Sequence, residues 1–207
     1  MRGMNEGEAR SRGAERGEAI VIETARLVMR RLSEEDAAFI LDLLNQPSFV
    51  EHIGDRGVRT LDDARGYIRD RIVASYERYG FGLYGVVVKE TGELGGLCGL
   101  VKRDGLDDPD LGFAFLPQHW SKGYAVEAAS AATEHAARDV GLGRLVAITS
   151  PGNLRSIRVL EKIGFAFEKE LRLPPAGEIV KLWKRGARGE SVDVGGRRRG
   201  RDASVEA

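Results

Sequence analysis

The sequence predicts an α+β fold, and two observations lead to that class. Segments with strand-like patterns and a hairpin turn come first along the chain, and a single strand–helix–strand unit follows them. A doubly wound fold would instead alternate strands and helices along its whole length. The expected order of elements is β α α β β β α β α β β.

The first strand and the two helices after it are predicted from caps and apolar spacing. The strand is Leu27–Leu32. Ser33 begins the first helix and Pro47 ends it, whereas Thr60 caps the second helix. The apolar positions that recur at helical spacing are Ala37, Ile40, Leu41 and Leu44 in the first helix and Ala64, Ile68 and Ile72 in the second.

The later elements begin with a hairpin, whose turn is residues 90–93. The expected strands are residues 81–89, 94–101, 110–116, 144–149, 165–173 and 178–184, and the expected helices are residues 123–140 and 153–163. Gly164 stands where a left-handed residue ends the second of these helices.

Composition bounds the organisation of the chain. We expect one domain at residues 19–185 between a disordered tail at 1–18 and a disordered basic tail at 186–207, because neither end has an apolar period. Lys plus Arg number 32 and so do Asp plus Glu, which gives a formal net charge of zero. Proteins that bind nucleic acid through bulk charge are usually clearly basic, so we expect no nucleic-acid partner.

Missing signals favour a cytoplasmic protein without a membrane partner. No apolar run approaches the roughly 20 residues of a membrane span, and the N-terminus has no apolar signal segment. The single cysteine, Cys98, fits a reducing compartment and is expected in the core. The three histidines, His52, His119 and His135, lack the spacing of a metal site, so we expect no metal.

The most informative segment joins a strand to an Ala-rich helix at residues 111–128. Pro117 marks the loop, and Gly123 lies where the helix begins. A helix start presents unpaired N–H groups and a positive dipole end, which suits a phosphate, and glycine lets a ligand approach the backbone. An Ala-rich core helix with glycine in its first turn explains the same residues without a ligand.

Two motifs carry a resemblance to a known family. The run Trp120–Ala128, WSKGYAVEA, resembles the acyl-CoA motif of GCN5-related N-acetyltransferases (GNAT), with Gly123 and Ala125 at its two small positions. Trp120 replaces the usual Gln or Arg, as in the Rim-type ribosomal-protein N-acetyltransferase branch. The run Asn153–Phe165 is similar to the Asn-x-x-Ser…Glu-Lys-x-Gly-Phe signature of that branch. The resemblance covers about residues 20–184.

This resemblance implies a splayed, mixed and mostly antiparallel sheet with helices on both faces, and acetyl-CoA as co-substrate. The strand edge at Phe113–Leu116 would pair with pantetheine, and the N–H of Phe115 or Leu116 would stabilise the oxyanion. Asn153 would bind the pantetheine arm, and Ser156 would serve the leaving sulfur. The main-chain N–H groups expected to bind the CoA diphosphate belong to Ser121, Lys122, Gly123, Tyr124 and Ala125.

The acid and the base are less well defined by the resemblance. Some members place a tyrosine acid seven residues after the conserved asparagine, and that position is Leu160 here. Asp110 and Glu127 are the carboxylates nearest in sequence that could act as base. Both are also explained as a surface charge or a cap partner, and His119 in the loop is a further candidate. Arg158 and Lys162 either reach the 3′-phosphate of CoA or are solvated.

The acceptor side is inferred from the fold alone. We expect it to be formed by the first two helices, the loop Glu51–Arg59 and the strand pair near Leu173–Gly177. The Rim-type resemblance favours direct attack by a protein or peptide α-amine. A small amine such as a polyamine, antibiotic or amino acid, or a non-catalytic acyl-CoA-binding module, remains an alternative, and the protein is a monomer or a homodimer. Acidic residues near this region, which would suit a cationic amine or serve as helix caps, are Glu51, Asp55, Asp62 and Asp63.

Overall fold

The structure, a computed structural model, describes residues 19–174 and 177–185. Both predicted tails lie outside these ranges. The strands within them are β1 (Ile20–Glu23), β2 (Leu27–Arg30), β3 (Leu83–Val88), β4 (Glu93–Val101), β5 (Asp110–Phe115), β6 (Leu145–Thr149), β7 (Ala166–Leu173) and β8 (Glu178–Arg185). They form one sheet in the order β1-β2-β3-β4-β5-β6-β8-β7.

The helices fall between the strands as the sequence predicts, with one addition. They are α1 (Ala37–Leu44), α2 (Pro47–Ile53), α3 (Leu61–Tyr67), α4 (Ala74–Tyr79), α5 (Tyr124–Arg138) and α6 (Leu154–Lys162). A π-helical segment, Ile68–Val73, joins α3 to α4, and short 3-10 helices at Glu34–Asp36 and Pro117–His119 precede α1 and α5. None of the helices in the described ranges is long and apolar enough to cross a bilayer.

The pairing of strands confirms the α+β class. Neighbouring strands are antiparallel except β5 and β6, which are parallel and are connected through α5. Parallel neighbours need such a crossover connection, because their chain direction must be restored before they can pair. The mixed sheet therefore follows from the single strand–helix–strand unit in the sequence.

Two elements differ from the sequence prediction. Strand β1 is missed because its four residues are partly exposed and adjoin the tail. Pro47 is expected to end the first helix, and α1 does end before it, but Pro47 also begins α2. Proline is suited to a first helical position, since its missing N–H would have no partner there. Glu51–Ile53, expected in a loop, therefore lie on a helix.

Small side chains allow α5 to lie close to the sheet. Four alanines of this helix, Ala128, Ala129, Ala132 and Ala136, are buried. The helix packs against β4 and β5. Cys98, on β4, is fully buried in the same core. The N-terminus of α5 is consequently fixed near the carboxyl end of β5, where the candidate site lies.

Candidate active site

A cleft opens where β5 and β6 part. These strands pair at one position, Asp110 with Val146, whereas β5 pairs with β4 over six residues and β6 with β8 over five. A cavity of about 1080 Å³ lies beyond this pair. It is lined by the end of β5, the loop after it, the starts of α5 and α6, the end of α1, and α2. The name cleft refers to this cavity below.

The Asp110 side chain lies where the main-chain pairing of β5 and β6 stops. The N–H of Val146 donates to the Pro109 carbonyl at 3.1 Å, but the N–H of Ile148 donates to Oδ1 of Asp110 at 3.2 Å. The carboxylate also pairs with Arg103 and is 1% exposed. Burial raises the pKa of Asp110, against the opposing charge of Arg103. We therefore correct the expectation that Asp110 is the base, because its carboxylate is committed to these partners and does not line the cleft.

Phe113 and Phe115 present the open edge of β5. Alternate residues of an antiparallel strand turn their main-chain groups toward the partner strand. The N–H of Leu116 donates to the Gly95 carbonyl at 3.0 Å, so Leu116 faces β4. Phe113 and Phe115 consequently face the other way, toward the cleft that they line. The expectation for Leu116 as oxyanion donor is wrong, because its N–H is already used in the sheet, and Phe115 remains the candidate.

The loop after β5 exposes a row of main-chain N–H groups. Ser121 and Gly123 have left-handed backbones, with φ of 60° and 81°. The N–H of Glu127 donates to the Gly123 carbonyl at 3.1 Å, so the N–H groups of residues 124–126 precede the first helical hydrogen bond and lack an intrahelical acceptor. Ser121 and residues 123–126 line the cleft. This concave set of donors at the positive end of a helix fits a diphosphate.

Lys122 is the one residue of the predicted diphosphate set that does not line the cleft. Its carbonyl accepts a hydrogen bond from Nη1 of Arg26 at 2.9 Å. The peptide after Lys122 is thus held from behind the loop.

Trp120 connects the loop to β5 and to α6. Its indole N–H donates to the Phe115 carbonyl at 2.8 Å, and the guanidinium carbon of Arg155 lies 4.3 Å from the centroid of one of its rings. Arg155, Arg158 and Lys162 line the cleft together. This end of the cleft therefore carries positive charge, which suits the phosphates of a nucleotide. Sequence analysis identified Arg158 and Lys162 but missed Arg155.

The start of α6 brings Asn153 and Ser156 to the cleft. The side-chain oxygen of Asn153 accepts the N–H of Ser156 at 3.0 Å, so Asn153 is the helix cap as well as a lining residue. Ser156 is half-buried, and its hydroxyl is a candidate donor to a ligand. Leu160, at the position of the family tyrosine, is 1% exposed and belongs to the core.

Glu127 is bound to the turn between β1 and β2. Its carboxylate accepts the hydroxyl of Thr24 at 2.7 Å and the N–H of Arg26 at 2.9 Å, and pairs with the Arg26 guanidinium at 2.6 Å. Desolvation raises the pKa of Glu127, but these hydrogen bonds outweigh it and the net pKa is lowered. Glu127 does not line the cleft. The expectation that it acts as the base is therefore corrected as well.

His119 lies in the wall of the cleft and is 7% exposed. Burial, with a smaller effect of the Lys122 charge, lowers its pKa, so the imidazole is neutral at neutral pH. Within the described ranges its buried Nδ1 has no hydrogen-bond partner.

Helix α2 brings to the cleft a histidine that sequence analysis considered only as a metal ligand. His52 lines the cleft, and its Nδ1 lies 3.4 Å from the hydroxyl of Ser150, the residue directly after β6. These two residues are 98 positions apart in the chain, so no local pattern indicates their contact. In the described ranges, no group of three or more His, Cys, Asp or Glu side chains is arranged to hold a metal.

The acceptor half of the cleft is formed by α1 and α2. Its lining residues are Leu43, Gln46, Pro47, Ser48, Phe49, Glu51, His52 and Ile53. Glu51 is the one carboxylate among all the described residues that line the cleft. Residues 173, 174 and 177, the described part of the expected strand-pair contribution, are not among the lining residues.

The other expected acidic residues have structural partners outside the cleft. Asp55 pairs with Arg59. Asp63 and Thr60 form a reciprocal capping box, and Asp62 pairs with Arg65. Their charges are thus explained by the start of α3 and the loop before it.

Comparison with known proteins identifies the family. The profile of the acetyltransferase (GNAT) domain matches residues 26–166. The Bacillus subtilis (strain 168) protein YkkB is 32% identical over 152 residues, which are 72% of this chain and 87% of YkkB. The N-acetyltransferase YoaA of the same organism is 27% identical over 155 residues, 73% of this chain and 86% of YoaA.

Solved structures agree with this assignment. An Agrobacterium tumefaciens str. C58 acetyltransferase is 26% identical, with a TM-score of 0.68 over 81% of this chain and 95% of its own. RimL, a ribosomal L7/L12 α-N-protein acetyltransferase solved with coenzyme A, shares the fold at 16% identity, with a TM-score of 0.71 over 82% of this chain and 98% of its own. The parted strands, the diphosphate-shaped loop and these matches lead to one conclusion: the chain is an acyl-CoA N-acyltransferase that belongs to the GNAT family.

Proposed function

We propose that the enzyme transfers the acetyl group of acetyl-CoA to the α-amine of a peptide or protein N-terminus. One observation carries this proposal. The open edge of β5 at Phe113 and Phe115 and the N–H groups of the loop after it line the same cleft. Bound pantetheine can therefore extend from the loop along the strand edge, with its thioester beside the N–H of Phe115.

The proposed reaction is a direct attack on the thioester. The neutral amine forms a C–N bond to the acetyl carbon, and the oxyanion that develops accepts the N–H of Phe115. One such donor typically contributes about 3 kcal/mol to lowering the barrier. The C–S bond then breaks, and CoA leaves as a thiolate that Ser156 can hydrogen-bond. With an ordinary pKa of about 8.5, a thiol is an adequate leaving group without full protonation.

Of the candidate bases, His52 has the position that the reaction requires. It lines the acceptor half, and its contact with Ser150 places it beside the end of β6, across the gap from β5. An imidazole can take the proton that the amine loses, directly or through one water. Asp110 and Glu127 lie outside the cleft, and water serves as the alternative acceptor.

The charges of the cleft favour an acceptor with a single amine. Glu51 is its one carboxylate in the described part of the chain, and the acceptor half also holds apolar side chains, including Leu43, Phe49 and Ile53. A polyamine or aminoglycoside carries several cations, which would meet the positive charges on α6. An N-terminal amine followed by one uncharged residue matches one carboxylate and an apolar wall.

A transfer assay tests this proposal. The full-length protein is incubated with acetyl-CoA and one amine at a time, and CoA thiol release and product mass are measured. The panel contains peptides with different first residues, the same peptides with a blocked N-terminus and an internal lysine, free amino acids, spermidine and an aminoglycoside. We expect acetylation of free N-termini, with uncharged first residues preferred. Turnover confined to spermidine or the aminoglycoside would refute the peptide acceptor.

A further inference from the structure

We propose that Arg26, which does not line the cleft, is a positioning residue that orients the Gly123 amide for the CoA diphosphate. This inference rests on the proposed function only in that the loop binds the diphosphate. It assigns a role in coenzyme binding to the turn between β1 and β2, which lies outside both sequence motifs.

The Arg26 side chain makes three separate contacts with the loop and the start of α5. Nη1 donates to the Lys122 carbonyl at 2.9 Å, and Nε donates to Oε2 of Glu127 at 2.7 Å. The guanidinium carbon also lies 4.9 Å from the centroid of the Tyr124 ring. A planar guanidinium can make such diverging contacts at once because its donors form a rigid fork.

The bond to Lys122 determines which way the next amide points. In a trans peptide the C=O and the following N–H lie on opposite sides of the C–N bond. The Lys122 carbonyl points to Arg26 behind the loop, so the N–H of Gly123 points away from Arg26. Because Gly123 lines the cleft and Lys122 does not, that N–H is directed to the cleft side. Rotation of this peptide would turn a carbonyl oxygen toward the diphosphate instead.

Arg26 is itself held by the same carboxylate that it contacts. Glu127 accepts the Arg26 main-chain N–H at 2.9 Å and the Thr24 hydroxyl at 2.7 Å, so the turn, the loop and α5 form one connected network. The left-handed φ of Gly123 adds a need for such support, because glycine has many alternative conformations. A Cβ at Gly123 would lie 3.3 Å from Nη2 of Arg26, which shows how closely the arginine packs behind the loop.

The test compares two arginines that each pair with an acidic residue of α5 or of the segment just after it. Arg26→Gln removes the network, and Arg138→Gln removes the pair with Asp139 beyond the far end of the helix. Dissociation constants for CoA are measured by calorimetry on the full chain, those for pantetheine by ligand-observed NMR, and melting temperatures without ligand. We expect Arg26→Gln to weaken CoA binding at least tenfold and to leave pantetheine binding unchanged, with Arg138→Gln close to wild type in both.

Several outcomes would overturn the proposal. CoA affinity of Arg26→Gln within twofold of wild type would do so, and so would equal losses for CoA and pantetheine, which would indicate general loosening of the site. If Arg26→Gln does not fold, Arg26→Lys replaces it, because lysine keeps a cation for Glu127 but cannot also bond the Lys122 carbonyl. Failure of the wild type to bind CoA would refute the proposed function first, and this inference with it.

Discussion

At the scale of single residues, the position of a side chain depends on contacts that are distant in sequence. Glycine and alanine at 123 and 125 could be assigned to the loop from the sequence, because the motif is local. The choice between Phe115 and Leu116 could not, because it depends on the register of β5 against β4, and a shift of one residue exchanges the two edges of a strand. His52 was missed for a similar reason, since Ser150 contacts it from the other end of the domain.

His52→Gln tests the proposed base. We expect kcat with an amine that is protonated at neutral pH to fall about 100-fold, within the range typical of general base catalysis. The dissociation constant for CoA should stay the same, because His52 lies in the acceptor half. His135→Gln is the matched control, as His135 contacts Asp139 at the far end of α5. Unchanged kcat in His52→Gln would assign the proton transfer to water.

At the scale of elements, caps and apolar spacing predicted most helices and strands, and the errors have physical causes. Pro47 stops one helix and starts another, two roles that the residue type alone does not separate. Asp110 and Glu127 were expected in catalysis because they adjoin the motif. In the structure they instead connect elements, Asp110 joining β5 to β6 and Glu127 joining α5 to the β1–β2 turn.

Glu127→Gln tests the stabilising role of this connection through its pH dependence. The pKa of Glu127 is lowered from its ordinary value of 4.5, so its contribution to stability is present above that value and is lost as the pH falls through the folded-state pKa. We expect the variant to be less stable by about 1–2 kcal/mol at neutral pH, the range for hydrogen bonds to a charged group. Urea unfolding at several pH values measures the difference, which should shrink toward acid pH. A difference that is constant between pH 7 and 3.5 would contradict the charged network.

At the scale of the whole molecule, the order of elements fixed the family resemblance, and the comparisons confirm it. The sequence could not define the acceptor, because the acceptor half is formed by α1 and α2, which carry no motif. Its charge could not be predicted either, since Asp55, Asp62 and Asp63 have acidic side chains in the expected region but bond to residues outside the cleft. Counting acidic residues along the chain therefore overstated the negative charge of the site.

Ligand binding to the folded state should be visible in global stability. A ligand at 100 times its dissociation constant stabilises a protein by about 2.7 kcal/mol, and we expect CoA to raise the melting temperature accordingly. Gly123→Trp should abolish this rise, because its side chain would occupy the loop and its left-handed φ of 81° disfavours a bulky residue. Gly141→Trp is a control, since Gly141 is also left-handed and nothing lies within 4 Å of its added Cβ. An equal CoA-dependent rise in Gly123→Trp and wild type would remove the loop from the coenzyme site.

The substitution of a carboxylate for a main-chain acceptor at Asp110 has a mechanical consequence. Strands β1 to β5 and strands β6 to β8 are each continuously bonded, but across the boundary they share one rung and the side chain that extends it. The sheet thus consists of two blocks with a narrow hinge. Either block can tilt to admit an acyl chain of different width without breaking a ladder bond of its own, so the hinge, rather than the packing of either block, sets how wide the entrance becomes.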